Sequence, residues 1–171
     1  MSHRQIPYES AFEDYLRSRG VPYVGVDQTR KAIFAGARLK SFDFIVYFPG
    51  QRHWIVDVKG RMFPYVNNRG ARCYWENWVS RDDIESLGEW QAVFGDEFEA
   101  RFVFAYFLGG PPDRWPVWRP HGFRSEHYLF LSVRLADYRE HCRPRSASWD
   151  TVAVPRAVFR RIIGPIEGPA G

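Results

Sequence analysis

Cysteine is scarce in this chain of 171 residues: there are 2, Cys73 and Cys142, and neither belongs to a CxxC pair. Their spacing therefore indicates neither a zinc knuckle nor a disulfide framework, and we interpret both as structural thiols. Long apolar runs are also missing, and residues 1–14 contain no apolar segment of the signal-peptide kind. These absences predict a cytoplasmic protein with no membrane-spanning segment. Phosphate-binding glycine loops, GxSxG and catalytic Cys–His signatures are absent too, which argues against several other enzyme classes.

Lysine is the other residue in short supply. Only Lys31, Lys40 and Lys59 are lysines, whereas the other 21 basic residues are arginines, and the formal net charge is +4. Arginine favours planar, bidentate contacts with phosphate, so this bias is typical of proteins that bind nucleic acid. A base-composition bias of the coding genome would produce the same exchange, and both explanations stay open.

The composition that is present, with 45% hydrophobic and 18% aromatic residues, is that of one globular domain. We predict a single domain over residues 1–171, with a core over 5–108 and a C-terminal extension over 109–171. Apolar spacings of three and four predict a first helix over 8–19, and Ser80 with Asp83 at capping-box spacing begins a second helix that ends at Gly95. Strands are predicted over 21–26, 41–48, 53–59, 100–108, 127–135 and 151–154, with a final helix from Pro155.

This element order is αβββαβ followed by β-loop-βα. It predicts an α/β (α+β mixed) fold with a mixed central sheet flanked by helices. Residues 32–39 are expected to add irregular extended structure, and residues 60–78 show no clear periodicity.

The alternating runs 41–48 and 53–59 are joined by Pro49-Gly50-Gln51, which predicts a β-hairpin. Strand side chains alternate with period two, so Asp57 and Lys59 lie on the same face. A three-residue loop places Asp43 directly opposite Asp57, on that face as well. A loop of two or four residues would turn Asp43 to the other face.

Opposed like charges destabilise a sheet, so the pair Asp43 and Asp57 needs a counter-charge. Mg²⁺ (or Mn²⁺) is a hard cation that one or two carboxylates bind together with waters and phosphate oxygens. We therefore predict a metal-dependent catalytic site at Asp43, Asp57 and Lys59. Because D-x-K is a short pattern that also arises by chance, a surface salt bridge is the alternative.

The two main helices offer further candidates. On the helical wheel Glu9 lies at the margin of the apolar face and Glu13 points farther toward solvent, so Glu9 is the preferred third acidic residue and Glu13 a secondary one. Gln91 falls on the inward sector of the second helix. It either helps to hold a water or a phosphate, or it is a hydrogen-bonded core amide.

Glu9, the stretch Ser41-Phe42-Asp43 and the stretch Asp57-Val58-Lys59-Gly60 together resemble the E…PD…(D/E)xK signature of the PD-(D/E)XK (restriction-endonuclease-like) nucleases. Phe42 stands where the name of that superfamily has Pro. The first 108 residues are most similar to archaeal-type Holliday-junction resolvases, with no recognised counterpart beyond residue 109. Residues 7–13 also resemble the HYExAFE family of uncharacterised proteins, with Pro7 in place of its His.

The resemblance implies a restriction-endonuclease-like core and an endonuclease that hydrolyses phosphodiester bonds of nucleic acid, with DNA favoured, branched or structured DNA included, and a 5′-phosphate product. It implies that Mg²⁺ is held by Glu9, Asp43, Asp57 and the Val58 carbonyl, while Lys59 orients or helps to deprotonate the attacking water. A resolvase needs two sites, which implies a homodimer. The alternative from another class is a non-catalytic nucleic-acid-binding or assembly protein on the same fold.

Substrate contacts are expected from the segment after the hairpin, where guanidinium and aromatic groups alternate in a way that suits phosphate binding and base stacking. The candidates are Arg61, Arg69, Arg72, Tyr74, Trp75, Trp78 and Arg81. An aromatic mini-core beneath a loop, with solvated arginines around it, is the alternative.

Overall fold

The computed structural model describes residues 5–27, 40–115 and 119–166, so the segment predicted over 32–39 lies outside the described residues. The helices in these ranges are α1 (Tyr8–Ser18), α2 (Arg81–Phe94), α3 (Leu135–His141) and α4 (Arg156–Ile162), with a 3-10 turn at Pro112–Arg114. The strands are β1 (Tyr23–Gly25), β2 (Phe44–Val46), β3 (His53–Phe63), β4 (Tyr65–Asn67), β5 (Gly70–Arg72), β6 (Val79–Ser80), β7 (Phe98–Leu108), β8 (His121–Phe123), β9 (Glu126–Arg134), β10 (Arg143–Ser146), β11 (Thr151–Ala153) and β12 (Ile163–Gly164). Among the described residues, no helix combines the length and the apolar character needed to cross a membrane.

The central sheet is mixed. Its strand order is β1-β2-β3-β7-β9-β12, and β8 pairs with β9 beside this path. Strands β3 and β7 run parallel, whereas the other pairs of this sheet are antiparallel. A parallel pair needs a long crossover connection, and the chain between β3 and β7 supplies it with α2. The predicted α/β fold, with a mixed central sheet flanked by helices, is therefore confirmed.

Each face of the sheet carries its own apolar cluster. On one face α1 contributes Ala11, Phe12 and Leu16, which pack against the even-numbered residues of β3, namely Trp54, Val56 and Val58. The opposite face is covered by α2 and the C-terminal helices, through Ile84, Leu87, Trp90, Tyr138 and Phe159. Each large apolar side chain buried in this way contributes roughly 1.5–3 kcal/mol, so the two clusters fix helices on both faces.

Helix α2 begins and ends where its sequence predicts. The Ser80 hydroxyl accepts a hydrogen bond from the Asp83 N–H at 3.0 Å, and the Asp83 carboxylate accepts one from the Ser80 N–H at 3.0 Å. Gly95, with φ of 80°, follows the last turn. Such a cap stabilises a helix by about 1 kcal/mol, and here it also fixes where the Asp83 side chain lies.

The hairpin of β2 and β3 has the predicted register. Phe44 pairs with Val56 and Val46 with Trp54, and continuing that ladder by one residue places Asp43 opposite Asp57. Strand β2 is shorter than predicted because the chain bends at Asp43. Phe42 consequently leaves the face of Phe44 and packs against Trp90 and Phe94 of α2, with ring centroids 5.3 and 5.6 Å apart.

Strand β3 is longer than predicted and runs through residue 63. Its last residues keep pairing with β7, up to Phe63 opposite Leu108, after β2 has ended on its other side. The segment that showed no periodicity, residues 60–78, therefore starts inside β3 and continues into the hairpin of β4 and β5. Short strands that pair with each other outside the main sheet leave no apolar alternation to detect.

The C-terminal part of the chain completes the sheet. The predicted strand, strand and helix of this part correspond to β9, β11 and α4, while β8, α3, β10 and β12 are additional. Strand β9 pairs with β7 along its length, and β12 pairs with β9. Helix α3 has only 7 residues and 2 buried side chains, Leu135 and Tyr138. Such a short element lacks the repeated spacing that identifies a helix from sequence.

Candidate functional site

The predicted acidic residues meet at the edge of β3, just beyond the point where β2 ends. Asp43 N–H donates to the Val56 carbonyl at 2.8 Å, and Val58 N–H donates to Asp43 Oδ2 at 2.7 Å. The N–H and C=O of one strand residue point to the same side of the strand, so the Val58 carbonyl also points to this edge. Two carboxylates and a carbonyl oxygen are thereby brought together by backbone geometry.

The two aspartates interact strongly with each other. Asp43 is 7% exposed, and burial, reinforced by the negative charges of Asp57 and Glu9, raises its pKa to about 8. Burial also raises the pKa of Asp57, although the neighbouring Lys59 ammonium opposes this effect. Two carboxyls in such close contact titrate as a pair and resist carrying two negative charges together. A cation at this edge would remove that resistance.

Lys59 is held between two carboxylates. Its Nζ lies 3.1 Å from Asp57 Oδ2 and 3.1 Å from Asp83 Oδ2, and its side chain is 18% exposed. The contact with Asp57 follows from strand alternation, because both residues lie on the same face of β3. The second contact arises because α2 packs over that face. The ammonium is therefore fixed in position beside the Asp43 and Asp57 pair.

Asp83 and Lys40 were missed in the sequence as parts of this site. Burial opposes ionisation of Asp83, but the Lys59 charge and the hydrogen bonds from Ser80 outweigh it and lower the pKa of Asp83 to about 2. The Lys40 ammonium lies 3.1 Å from Asp83 Oδ1 and 3.3 Å from Asp82 Oδ2. The only local signal was the capping-box spacing of Asp83, which predicts a helix start and says nothing about a lysine far away in sequence.

Glu9 reaches the site from the other face of the sheet. It is an exposed residue in the first turn of α1, and it lines a cleft of about 470 Å³ together with Val58 and Gly60. Its charge contributes to the raised pKa of Asp43, so the two carboxylates are near each other. The helical wheel placed Glu9 at the margin of the apolar face of α1. In the structure α1 covers the face of the sheet opposite to that of Asp57 and Lys59, and Glu9 approaches the carboxylate pair at the strand edge.

Glu13 and Gln91, the two secondary candidates, make structural contacts elsewhere. Glu13 Oε1 accepts hydrogen bonds from Arg17 and from Tyr23 Oη, both at 2.7 Å, which ties α1 to β1. The Gln91 amide nitrogen donates to the Phe98 carbonyl at 2.7 Å, and its oxygen accepts from the Ala100 N–H at 2.5 Å. These contacts match the second interpretation of Gln91, that of a hydrogen-bonded core amide.

Part of the basic and aromatic set is buried. Arg61 donates to the Gly60 and Trp78 carbonyls, its guanidinium lies 3.9 Å from the centroid of the Trp78 ring, and burial lowers its pKa. Trp75 packs against Phe63, with ring centroids 4.3 Å apart, at the margin of the core. The alternative of an aromatic mini-core therefore describes Trp75. Arg61 contacts both the ring and the backbone carbonyl of Trp78.

The rest of the predicted set lies nearer the surface. Arg69 and Arg72 are exposed on the hairpin of β4 and β5. Tyr74 is half-buried beneath Arg156, and Arg81 forms an ion pair with Asp150 at 3.0 Å. These residues are placed where an extended anionic ligand has access to them.

The donor set at the strand edge fits a hard cation. Over the ranges 5–27, 40–115 and 119–166, no three or more His, Cys, Asp or Glu lie close enough together to hold a metal ion, so Glu9, Asp43 and Asp57 do not form a three-carboxylate site in this arrangement. Mg²⁺ does not require one, since proteins usually bind it through one or two carboxylates plus waters and substrate phosphates. Asp43, Asp57 and the Val58 carbonyl offer oxygen atoms alone, which is the donor chemistry that Mg²⁺ and Mn²⁺ prefer.

Gly60 gives the start of α1 its place on the sheet. A Cβ atom at this position would overlap the ring of Tyr8, the residue immediately before Glu9. Tyr8 is packed closely enough that burial, with Arg61 opposing it, raises its pKa to about 12. The position of Glu9 therefore depends on Gly60, because only a residue without a side chain lets the Tyr8 ring lie so close to β3.

Replacing Gly60 by alanine should lower the free energy of unfolding by roughly 1–3 kcal/mol, because the Tyr8 ring and the start of α1 must move. Chemical denaturation of the two proteins measures this difference. Gly122→Ala is the matched control, because nothing lies within 4 Å of a Cβ atom there. If both variants were as stable as the wild-type protein, the close approach of Tyr8 to Gly60 would be refuted.

Comparison with known proteins bears on the fold. No protein-family model and no curated protein matches the chain, so the resemblance to the HYExAFE family stays a prediction. Among solved structures the chain is similar to Hjc, a Holliday junction resolvase from the archaeal hyperthermophile Archaeoglobus fulgidus, with a TM-score of 0.52 and 13% sequence identity over 91% of each chain. The first 108 of 171 residues are too few to supply that coverage. The expectation that residues beyond 109 lack a resolvase counterpart was therefore wrong.

Proposed function

We propose that this protein is a metal-dependent endonuclease that hydrolyses phosphodiester bonds of DNA. The observation that carries the proposal is the convergence of Asp43, Asp57 and Lys59 at one edge of β3. Val58 N–H of that strand donates a hydrogen bond to the Asp43 carboxylate there, at 2.7 Å. Two ionised carboxylates in contact destabilise the sheet unless a positive charge lies between them. A metal-dependent nuclease site would place a divalent cation there. The resolvase-like fold is a second line of support.

In this proposal Asp43, Asp57 and the Val58 carbonyl would hold Mg²⁺ or Mn²⁺, and Glu9 of α1 is the further acidic candidate. A cation held there would supply polarisation of the scissile phosphate and a lowered pKa for a bound water. In the chain without a cation, burial and the negative charges of Asp57 and Glu9 raise the pKa of Asp43 to about 8, so a cation bound at this edge would take the place of a proton.

Lys59 orients the attacking water and stabilises the negative charge that develops on it. Its ammonium makes both of its ion pairs at 3.1 Å, so little reorganisation is needed when substrate arrives. Asp83 acts through Lys59 and is a positioning residue, since it holds the ammonium from the side opposite Asp57. Arg69, Arg72, Tyr74, Trp78 and Arg81 are the proposed substrate contacts.

A panel of 5′-labelled substrates tests this function: a four-way junction, a duplex, single-stranded DNA and single-stranded RNA. The wild-type protein should cut DNA with Mg²⁺ or Mn²⁺, leave 5′-phosphates, and stop when the cation is chelated. Symmetric cuts in both strands of the junction would indicate two sites, as a homodimer requires. Equal cleavage by the wild-type protein, Asp43→Asn and Lys59→Ala would point to a contaminating nuclease. Binding of DNA without cleavage on any substrate would favour the non-catalytic alternative.

A further inference from the structure

Positive charge is concentrated in one C-terminal segment. Residues 143–161 contain 5 arginines and 1 acidic residue, and therefore carry a net charge of +4. The whole chain also has a net charge of +4. Outside residues 143–161 there are 19 basic and 19 acidic residues, so the rest of the chain is neutral. All five arginines of the segment are exposed. Three of them lie beside Trp78, Tyr74 or the cleft that Tyr74 lines, and we name these three the C-terminal arginine face: Arg145, Arg156 and Arg160.

This face meets the aromatic residues of the middle of the chain. The Arg145 guanidinium lies 5.2 Å from the centroid of the Trp78 ring, and that of Arg156 lies 4.1 Å from the centroid of Tyr74. Trp78 and Tyr74 belong to the set that the sequence predicted to bind nucleic acid. The C-terminal arginines thus turn that set into one surface in which cations and aromatic rings alternate, and this combination suits phosphates and stacked bases.

A small cleft lies within this surface. Its volume is about 120 Å³, and its walls include Tyr74, Trp75, Arg156 and Arg160. The Arg156 guanidinium lies over the Tyr74 ring there, and Arg160 lines the same cleft. Guanidinium groups bind phosphate oxygens with planar, bidentate geometry, whereas the aromatic wall offers a surface for a base.

The C-terminal arginine face is also joined rigidly to the catalytic lysine. Strand β11 pairs with β6, with Thr151 opposite Ser80, and Ser80 caps the helix whose Asp83 holds Lys59. The turn between β10 and β11 is tied to the start of α2 as well, because Arg81 N–H donates to the Asp150 carbonyl at 3.0 Å. Trp149 in this turn is 78% exposed, so its indole ring is accessible to a ligand.

We propose that the C-terminal arginine face is a DNA-binding surface that holds the phosphate backbone of the substrate and leads it toward Lys59. The choice of DNA as the occupant rests on the proposed function together with the alternation of cations and aromatic rings. A purely acidic protein partner would match the charge, but it would make no use of the aromatic wall or of Trp149.

The test measures DNA affinity separately from cleavage. Fluorescence anisotropy with labelled junction and duplex DNA, in the presence of a chelator, compares the wild-type protein with Arg145→Gln/Arg156→Gln. The matched control is Arg19→Gln/Arg124→Gln, because these arginines also lie over aromatic rings, at 5.3 Å from Tyr15 and 4.8 Å from Phe123. The first pair should weaken binding about tenfold or more and lower the slope of log K against log salt by roughly 2, since each lost phosphate contact removes about 0.9. The control pair should change affinity less than about twofold, as expected for arginines that make no phosphate contact.

Each outcome of this experiment has one meaning. Loss of binding confined to the first pair supports the DNA-binding surface, even if the wild-type protein fails to cut any substrate and the nuclease proposal is wrong. Three results would overturn the DNA-binding surface: the two double variants affect binding equally, neither affects it, or the wild-type protein does not bind DNA. Binding of polyglutamate as tight as that of DNA would overturn it as well. If the first pair melts at a lower temperature than the control pair, Arg160→Gln at the cleft supplies the affinity measurement, with the same direction expected.

Discussion

Replacing Lys59 by alanine should lower the rate of phosphodiester cleavage by roughly 10²–10³-fold, the range that one group positioned to stabilise developing negative charge contributes. The ammonium is 18% exposed and is held by Asp57 and Asp83, each at 3.1 Å, so the substitution removes a positive charge that is fixed beside the carboxylate pair. Single-turnover cleavage of the preferred substrate at saturating Mg²⁺ measures the chemical step without a contribution from product release.

Lys40→Ala is the matched control for this experiment. Lys40 also contacts Asp83 at 3.1 Å, but it is half-exposed and its second partner is Asp82, which is itself exposed. Its loss should cost no more than about tenfold in rate, because it touches Lys59 only through Asp83. Unfolding curves of both variants separate a catalytic loss from a loss of folded protein. Similar rates for Lys59→Ala and the wild-type protein would remove Lys59 from the proposed mechanism.

Without divalent cations, the protein should lose stability as the pH rises from about 5 to about 9. Burial, with the charges of Asp57 and Glu9, raises the pKa of Asp43 from 3.8 to about 8. Between these two pKa values the folded protein keeps a proton that the unfolded chain has released. The corresponding stability is therefore fully present below the unfolded pKa and is lost as the pH rises through the folded one. Since one pKa unit corresponds to 1.36 kcal/mol, the loss is on the order of several kcal/mol.

Saturating Mg²⁺ at pH 8 should restore this stability, because a cation that binds the ionised pair stabilises the folded state and has no site in the unfolded chain. Asp43→Asn should flatten the pH dependence and remove most of the response to Mg²⁺. Urea unfolding from pH 5 to pH 9, with and without Mg²⁺, measures both effects. The exposed Asp113→Asn serves as control. A stability of the wild-type protein that rises over this range, or that ignores Mg²⁺ at pH 8, would contradict the carboxylate pair as the cation site.

Much of the site could be predicted because it depends on local geometry. Alternation along β3 places Asp57 and Lys59 on one face, and a three-residue loop places Asp43 opposite Asp57; the structure has this register. The ends of α2 were likewise predicted, since Ser80, Asp83 and Gly95 act within one turn of the helix. Strand alternation, hairpin register and helix capping each depend on residues a few positions apart, and a single sequence contains that information in full.

The arrival of Asp83 at Lys59 was not predictable in this way. It required α2 to cover the face of β3 that carries Asp57, whereas α1 had to cover the other face and bring Glu9 to the strand edge. Sequence periodicity indicates that a helix has an apolar face, but it does not indicate which face of the sheet receives it. That choice depends on the summed burial of many side chains, such as Phe42 against Trp90 and Phe94.

The sequence by itself thus determined the mixed α/β fold, the pairing of Asp43 with Asp57 and the presence of Lys59 beside them, because hydrogen-bond periods of strands and turns dictate these relations. Only the tertiary structure decided that Asp83 and Lys40 complete the charge network, and that the Gln91 amide is hydrogen-bonded to the Phe98 carbonyl and the Ala100 N–H. It also decided that Arg145 and Arg156 cover Trp78 and Tyr74, although 67 and 82 positions separate the partners. Contacts over such separations form only when whole elements have packed, and no local pattern specifies that packing.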